Sequence, residues 1–189
     1  MLRPRYRPTM LDGRISRLAL AACAGLCMGM AAAATEARMQ VESASIADGR
    51  IARVHACRGQ GGRDQPLQLS VEDIPPAAHF LAIVADDPDA LQPAGEVWVH
   101  WNVFNLRSSG PLLEIAAGQA LDGTIGTTTG GARGYEGMCP PDGVHRYRFA
   151  IFALRDRIAI DASRPWTIEQ FQEKFGAQVL EKAVVYGRF

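Results

Sequence analysis

Three short segments carry side chains that could do chemistry together. The first is Asp86-Asp87-Pro88-Asp89-Ala90, which closes an apolar run beginning at Phe80. Pro88 fixes its own φ and holds Asp87 extended, so the carboxylates stand in a set orientation at the end of that run. The second is Val97-Trp98-Val99-His100-Trp101-Asn102-Val103-Phe104-Asn105, an apolar stretch with one histidine. The third begins at Gly134 as a Gly/Pro-rich loop, stiff at Cys139-Pro140-Pro141, and continues through His145-Arg146-Tyr147-Arg148 to Phe149. Imidazoles, carboxylates and a phenol can hold a ligand's oxygens, or move protons in general acid–base hydrolysis. Each segment also has a plain structural reading. Asp-Pro-Asp is a turn whose side chains bond nearby amides, His100 fits a core position with a satisfied ring, and the arginines fit a solvated strand face. The chain holds no GxSxG, HExxH or Walker pattern, and no Ser or Cys is clearly placed as a nucleophile beside either histidine.

Strands must position these residues. Candidate strands cover residues 52–55, 67–71, 79–85, 97–105 and 145–154, separated by Gly, Pro, Asp and Asn. Short strands at this spacing point to a β-sandwich or barrel, and the gaps are too tight for crossover helices, which favours antiparallel pairing. Period-two alternation puts Trp98, His100, Asn102 and Phe104 on one face and Val97, Val99, Trp101 and Val103 on the other. Both faces are largely apolar, as in a central strand covered on both sides. By the same rule His145, Tyr147 and Phe149 share a face opposite Arg146 and Arg148. The tail changes period: Ile168, Phe171, Phe175, Val179 and Leu180 recur at helical spacing behind a Thr167 N-cap. That pattern predicts a helix of about 15 residues packed on the sheets, with a closing strand over 183–187.

The first 34 residues differ in kind. Arg3, Arg5, Arg7, Arg14 and Arg17 precede an apolar run over 18–34 that ends in Ala32-Ala33-Ala34, the pattern of a secretory signal peptide cleaved near Thr35. That run is mostly Ala and Gly, and short against the ~20 residues of a spanning helix, so no integral span is expected after cleavage. Leu20-Ala21-Ala22-Cys23 also fits a lipid-attachment pattern, which would anchor the chain through Cys23. Residues 35–189 then form one domain, periplasmic or secreted. The whole chain is neutral, but removing residues 1–34 leaves 15 basic and 19 acidic residues, a net of −4. A mildly acidic exported domain is not expected to bind nucleic acid, nor to bind anionic lipid surfaces nonspecifically. Cys57 and Cys139 remain, an even pair that an oxidising compartment favours as a disulfide, with two unrelated buried thiols as the alternative. No Cys/His cluster suggests zinc, and neither metal nor cofactor is expected.

Asp87-Pro88-Asp89-Ala90, Trp98-Val99-His100-Trp101 and Gly137-Met138-Cys139-Pro140-Pro141 followed by His145-Arg146-Tyr147 together resemble the phosphatidylethanolamine-binding protein family, also called Raf-kinase-inhibitor-like proteins. The exported bacterial members are the nearest in pattern. Order and spacing agree over roughly residues 50–189. The resemblance implies an antiparallel β-sandwich with a C-terminal helix packed on it. It also implies a small pocket for phosphate, acetate or a phospholipid headgroup. By carry-over, Asp87, His100, His145 and Tyr147 form that pocket, and Trp98, Pro140 and Pro141 shape its walls. The expected partner is such an anion, with an envelope protein as a further one, and binding should weaken as the histidines deprotonate above about pH 7. Hydrolysis by the Asp/His/His cluster and inhibition through a protein surface are the alternatives. The departures from the family pattern surround the pocket: Leu91 replaces the usual proline, Met138 a small residue or proline, and Gly59 to Pro66 the usual approach to an early strand. The loops 91–96 and 112–132 are candidates to cover it.

Overall fold

The computed structural model describes residues 38–189; the expected signal peptide, with its Cys23 alternative, lies outside the described residues. Two sheets face each other. The smaller is antiparallel, in the order β1 (Gln40–Glu42), β4 (Leu69–Glu72), β7 (Leu113–Ile115). The larger has seven strands in the order β2 (Ile46–Ala47), β3 (Arg50–Ile51), β10 (Val179–Arg188), β9 (Arg146–Leu154), β5 (Phe80–Asp87), β6 (Trp98–Arg107), β8 (Thr124–Ile125). Every pairing in it is antiparallel except β3 with β10. The described residues are therefore mostly β, a two-sheet sandwich with one substantial helix among them, as the alternating apolar runs anticipate.

The core between the sheets joins Leu69, Val71 and Ile115 of the smaller sheet to Ile83, Ala85, Trp101, Val103, Phe149 and Ile151 of the larger. The outer face of the larger sheet is covered by helix α2 (Ile168–Phe175), which lays Ile168, Phe171 and Phe175 on Ala82, Val84, Phe104, Ala150 and Phe152. Thr167 and Gln170 form a capping box at its start. Strands β5, β6 and β9 are thus covered on both faces, which is why they read as nearly continuous apolar runs.

Three expectations change. Residues 53–55 form a 3-10 turn rather than a strand, because His55 N bonds Ala52 O and Ala56 N bonds Arg53 O, leaving these amides out of a ladder. Helix α2 has eight residues, not about 15. After the turn Gly176–Gln178, Val179 and Leu180 fit a strand as well as a helix, and the ladder with β9 from Val179 to Arg188 takes them. Strict alternation also fails in β6. Ala85 pairs with Trp101 but Asp86 pairs with Val99, so one extra residue is inserted at His100. Partners share a face. Trp98, His100, Trp101 and Val103 therefore face the inner core, while Val99, Asn102 and Phe104 face α2.

Candidate functional site

The site is built at one end of three neighbouring strands. Asp87 ends β5, Trp98 begins β6 directly opposite it, and Tyr147 lies near the start of β9 on the same face. Asp87 is extended ahead of Pro88, with φ −119° and ψ 100°. Its two carboxylate oxygens do different work. Oδ1 accepts from the amides of Asp89 at 2.9 Å and Ala90 at 3.2 Å, capping a 3-10 turn. Oδ2 accepts from His145 Nδ1 at 2.7 Å. One carboxylate thus both caps the turn and holds His145.

His100, raised by the extra residue in β6, has Nδ1 2.9 Å from the Glu136 carbonyl. A carbonyl can only accept, so Nδ1 carries the proton and Nε2 is the ring's free position. Burial pushes the His100 pKa below its usual value, opposed by that carbonyl and by the Glu136 and Asp87 carboxylates. Tyr147 lies between the rings, 5.2 Å from His100 and 6.4 Å from His145 by ring centroids. Its hydroxyl is buried and no acceptor meets it with hydrogen-bond geometry among the described residues. Burial, then the nearby Asp87 carboxylate, pushes the phenol's pKa well above its usual value, so it stays protonated.

All seven residues anticipated from the sequence line one cavity of about 240 Å³: Asp87, Trp98, His100, Pro140, Pro141, His145 and Tyr147. Glu136, Ala90, Pro93, Ala94 and Cys139 join them. Glu136 was not anticipated. Its carboxylate accepts from Trp98 Nε1 at 3.2 Å and from Gly130 N at 3.1 Å, which fixes the indole in the wall. A carboxylate set in the Gly-rich run 134–137 was the only available signal. Pro93 and Ala94 belong to α1 (Leu91–Ala94), so the departure at Leu91 opens the short helix that lines the mouth. Met138 does not: it is buried in the inner core, with Sδ 3.2 Å from the Tyr135 hydroxyl. No residue of the loop 112–132 lines the cavity.

Cys57 and Cys139 are joined in a disulfide, with Cα atoms 5.5 Å apart. Arg148 is not on a solvated face. It binds the fully buried Asp86 through Nε at 2.7 Å and Nη2 at 3.0 Å, and it reaches Glu169 on α2. This pair lies on the opposite face of the sheet from the cavity. Among the described residues no group of three or more His, Cys, Asp or Glu has the geometry to hold a metal ion.

A family model described as phosphatidylethanolamine-binding protein matches residues 42–189. A UPF0098 protein of Chlamydia pneumoniae is 33% identical over 154 residues, covering 80% of this chain and 98% of that protein. One from Methanothermobacter thermautotrophicus is 36% identical over 145 residues, covering 75% and 91%. The crystal structure of CT736 from Chlamydia trachomatis, described as a homologue of the same family, superposes with TM-score 0.67 at 30% identity, covering 80% and 97%. Escherichia coli YbcL, at 24% identity, shares the fold with TM-score 0.67 over 81% and 98%. With these matches along nearly all of the described residues, the chain belongs to the phosphatidylethanolamine-binding protein family.

Proposed function

We propose that this protein is an exported binding module whose cavity takes a small oxyanion: phosphate, a phosphoester or a phospholipid headgroup. The observation that carries the reading is the Tyr147 hydroxyl in the cavity lining, buried beside the Asp87 carboxylate with no hydrogen bond of full geometry among the described residues. Leaving such a group unpaired costs about 1–3 kcal/mol, which a ligand oxygen would relieve. The phenol stays protonated, so it offers a donor, as an oxyanion requires. The cavity's size suits a headgroup rather than a whole lipid, and Trp98, Pro93, Pro140 and Pro141 give its mouth an apolar wall for the ligand's carbon part. Export is supported by the arginine-headed apolar leader, by the disulfide, and by a relative from Mycobacterium tuberculosis named as lipoprotein LppC, 36% identical over 120 residues.

The test is calorimetric titration with inorganic phosphate and with phosphoethanolamine. Tyr147→Phe should weaken binding by about tenfold or more while leaving thermal stability equal or higher, because it removes an unpaired group. Equal affinity in the variant overturns the reading. The Asp87–His145 pair at 2.7 Å favours hydrolysis as the second reading. Against it, the lining holds no serine or threonine, and its one cysteine is disulfide-bonded. Phosphoester turnover lost in His145→Ala would establish hydrolysis instead.

A further inference from the structure

A second cleft, of about 530 Å³, lies across the Pro140-Pro141 turn from the first cavity and shares that turn as a wall. Three elements deliver an arginine to it: Arg50 from β3, Arg53 from the 3-10 turn after it, and Arg188 from the end of β10. The register makes this convergence firm. Arg188 is the partner of Arg50 in the parallel pairing and of Arg146 in the antiparallel one, so Arg50, Arg188 and Arg146 stand abreast on three adjacent strands. Like charges directly opposite one another are unfavourable in a sheet.

Two of the three, Arg50 and Arg188, have no carboxylate partner among the described residues. No carboxylate lies within 4.0 Å of Arg50, Arg53 or Arg188; Arg53 Nη1 donates to the Gln60 carbonyl at 2.9 Å, and Arg146 reaches Asp89 at 3.9 Å. Asp142 also lines the cleft, but its ionic contact is with His145 Nε2 at 3.7 Å. Acidic residues outnumber basic ones over 35–189, yet three guanidinium groups line this cleft beside Asp142 and the terminal residue Phe189. Guanidinium forks match phosphate oxygens in pairs, which a lone lysine cannot do.

We infer that this cleft is a second anion site, separate from the Tyr147 cavity, and that its ligand carries two linked phosphate groups. The inference does not depend on what the first cavity binds.

The probe is inorganic pyrophosphate, titrated into the isotopically labelled protein and followed by backbone amide shifts. Shifts should cluster at Arg50, Arg188 and Gly143. Arg50→Gln with Arg188→Gln should weaken that binding about tenfold or more. Arg155→Gln with Arg157→Gln, exposed at the far end of β9, should leave it unchanged, as should Tyr147→Phe. Shifts confined to His100 and Tyr147, or equal weakening by both arginine pairs, would overturn the inference. Cardiolipin vesicles locate the source of the phosphates. Cosedimentation that needs Arg50 and Arg188 assigns them to a membrane headgroup, and binding of free pyrophosphate alone assigns them to a soluble ligand.

Discussion

Each imidazole at the cavity holds its Nδ1 inside the protein, and that decides how protons and ligand are linked. His100 Nδ1 donates to the Glu136 carbonyl, and His145 Nδ1 donates to Asp87. Burial keeps His100 below its usual pKa of 6.5, so at pH 7 its Nε2 carries a lone pair. A lone pair facing an anionic oxygen repels it, so an oxyanion draws a proton onto that nitrogen. Binding at pH 7 should therefore take up a proton and tighten as the pH is lowered. Calorimetry in two buffers of different ionisation enthalpy measures this uptake directly, and the uptake should shrink in His100→Gln. Identical heats in the two buffers would contradict the arrangement. Folding responds in the opposite direction. A histidine whose folded pKa is depressed leaves the unfolded chain holding more protons once the pH drops below about 6.5, so His100 costs stability there. Acid thus favours the ligand and disfavours the empty fold through one side chain.

At the scale of the elements, the last two residues of β5 do separate jobs because successive side chains face opposite ways. Asp87 faces the cavity. Asp86 faces α2, where it accepts from Arg148 and from the Ile168 amide at 3.0 Å, tying the helix to the sheet. Burial is the largest influence on Asp86 and raises its pKa even with Arg148 beside it, so the ion pair is what makes the charge tolerable. Arg148→Met strands that carboxylate and should cost about 3–5 kcal/mol in urea unfolding. Adding Asp86→Asn should recover part of the loss; a single-variant cost below about 1 kcal/mol would mean the pair acts like a surface bridge. None of this was legible in the sequence, where Arg146 and Arg148 look alike. Telling them apart requires knowing that Asp86 and Arg148, 62 residues apart, are cross-strand partners. The strands at Phe80–Asp87 and Trp98–Arg107 were legible because turn residues bound their apolar runs. The extra residue at His100 was not, since a bulge shifts the period without leaving a compositional mark. Val179 and Leu180 misled because they satisfy both a helical and a strand spacing.

At the scale of the molecule, the cavity is half ladder and half loop, and the two halves are secured differently. Asp87, Trp98, His100 and Tyr147 are held by the β6–β5–β9 pairings, which sit in the middle of the larger sheet. Glu136 and Pro140-Pro141 lie outside that ladder. Their loop is fastened instead to residues 55–64: Ala56 bridges Met138, the Tyr135 hydroxyl donates to His55 O at 2.8 Å, and the Gly137 amide donates to Asp64 Oδ1 at 3.2 Å. Gly137 allows the approach, since a Cβ there would meet the backbone of Ala56 and Cys57 at 2.5 Å. The disulfide covalently locks the same contact across 82 residues of sequence. Closing so long a loop restricts the unfolded chain, so Cys57→Ala with Cys139→Ala should lower stability by roughly 2–5 kcal/mol. The loop half should then loosen while the ladder half stays. Phosphate affinity should fall with far-ultraviolet circular dichroism unchanged, because Trp98 loses the Glu136 acceptor and the proline wall drifts. Lower thermal stability with full affinity would instead make the bond a global brace with no part in the site. A protein whose binding geometry needs this bond works best where thiols oxidise, which joins the cavity to the export proposed above.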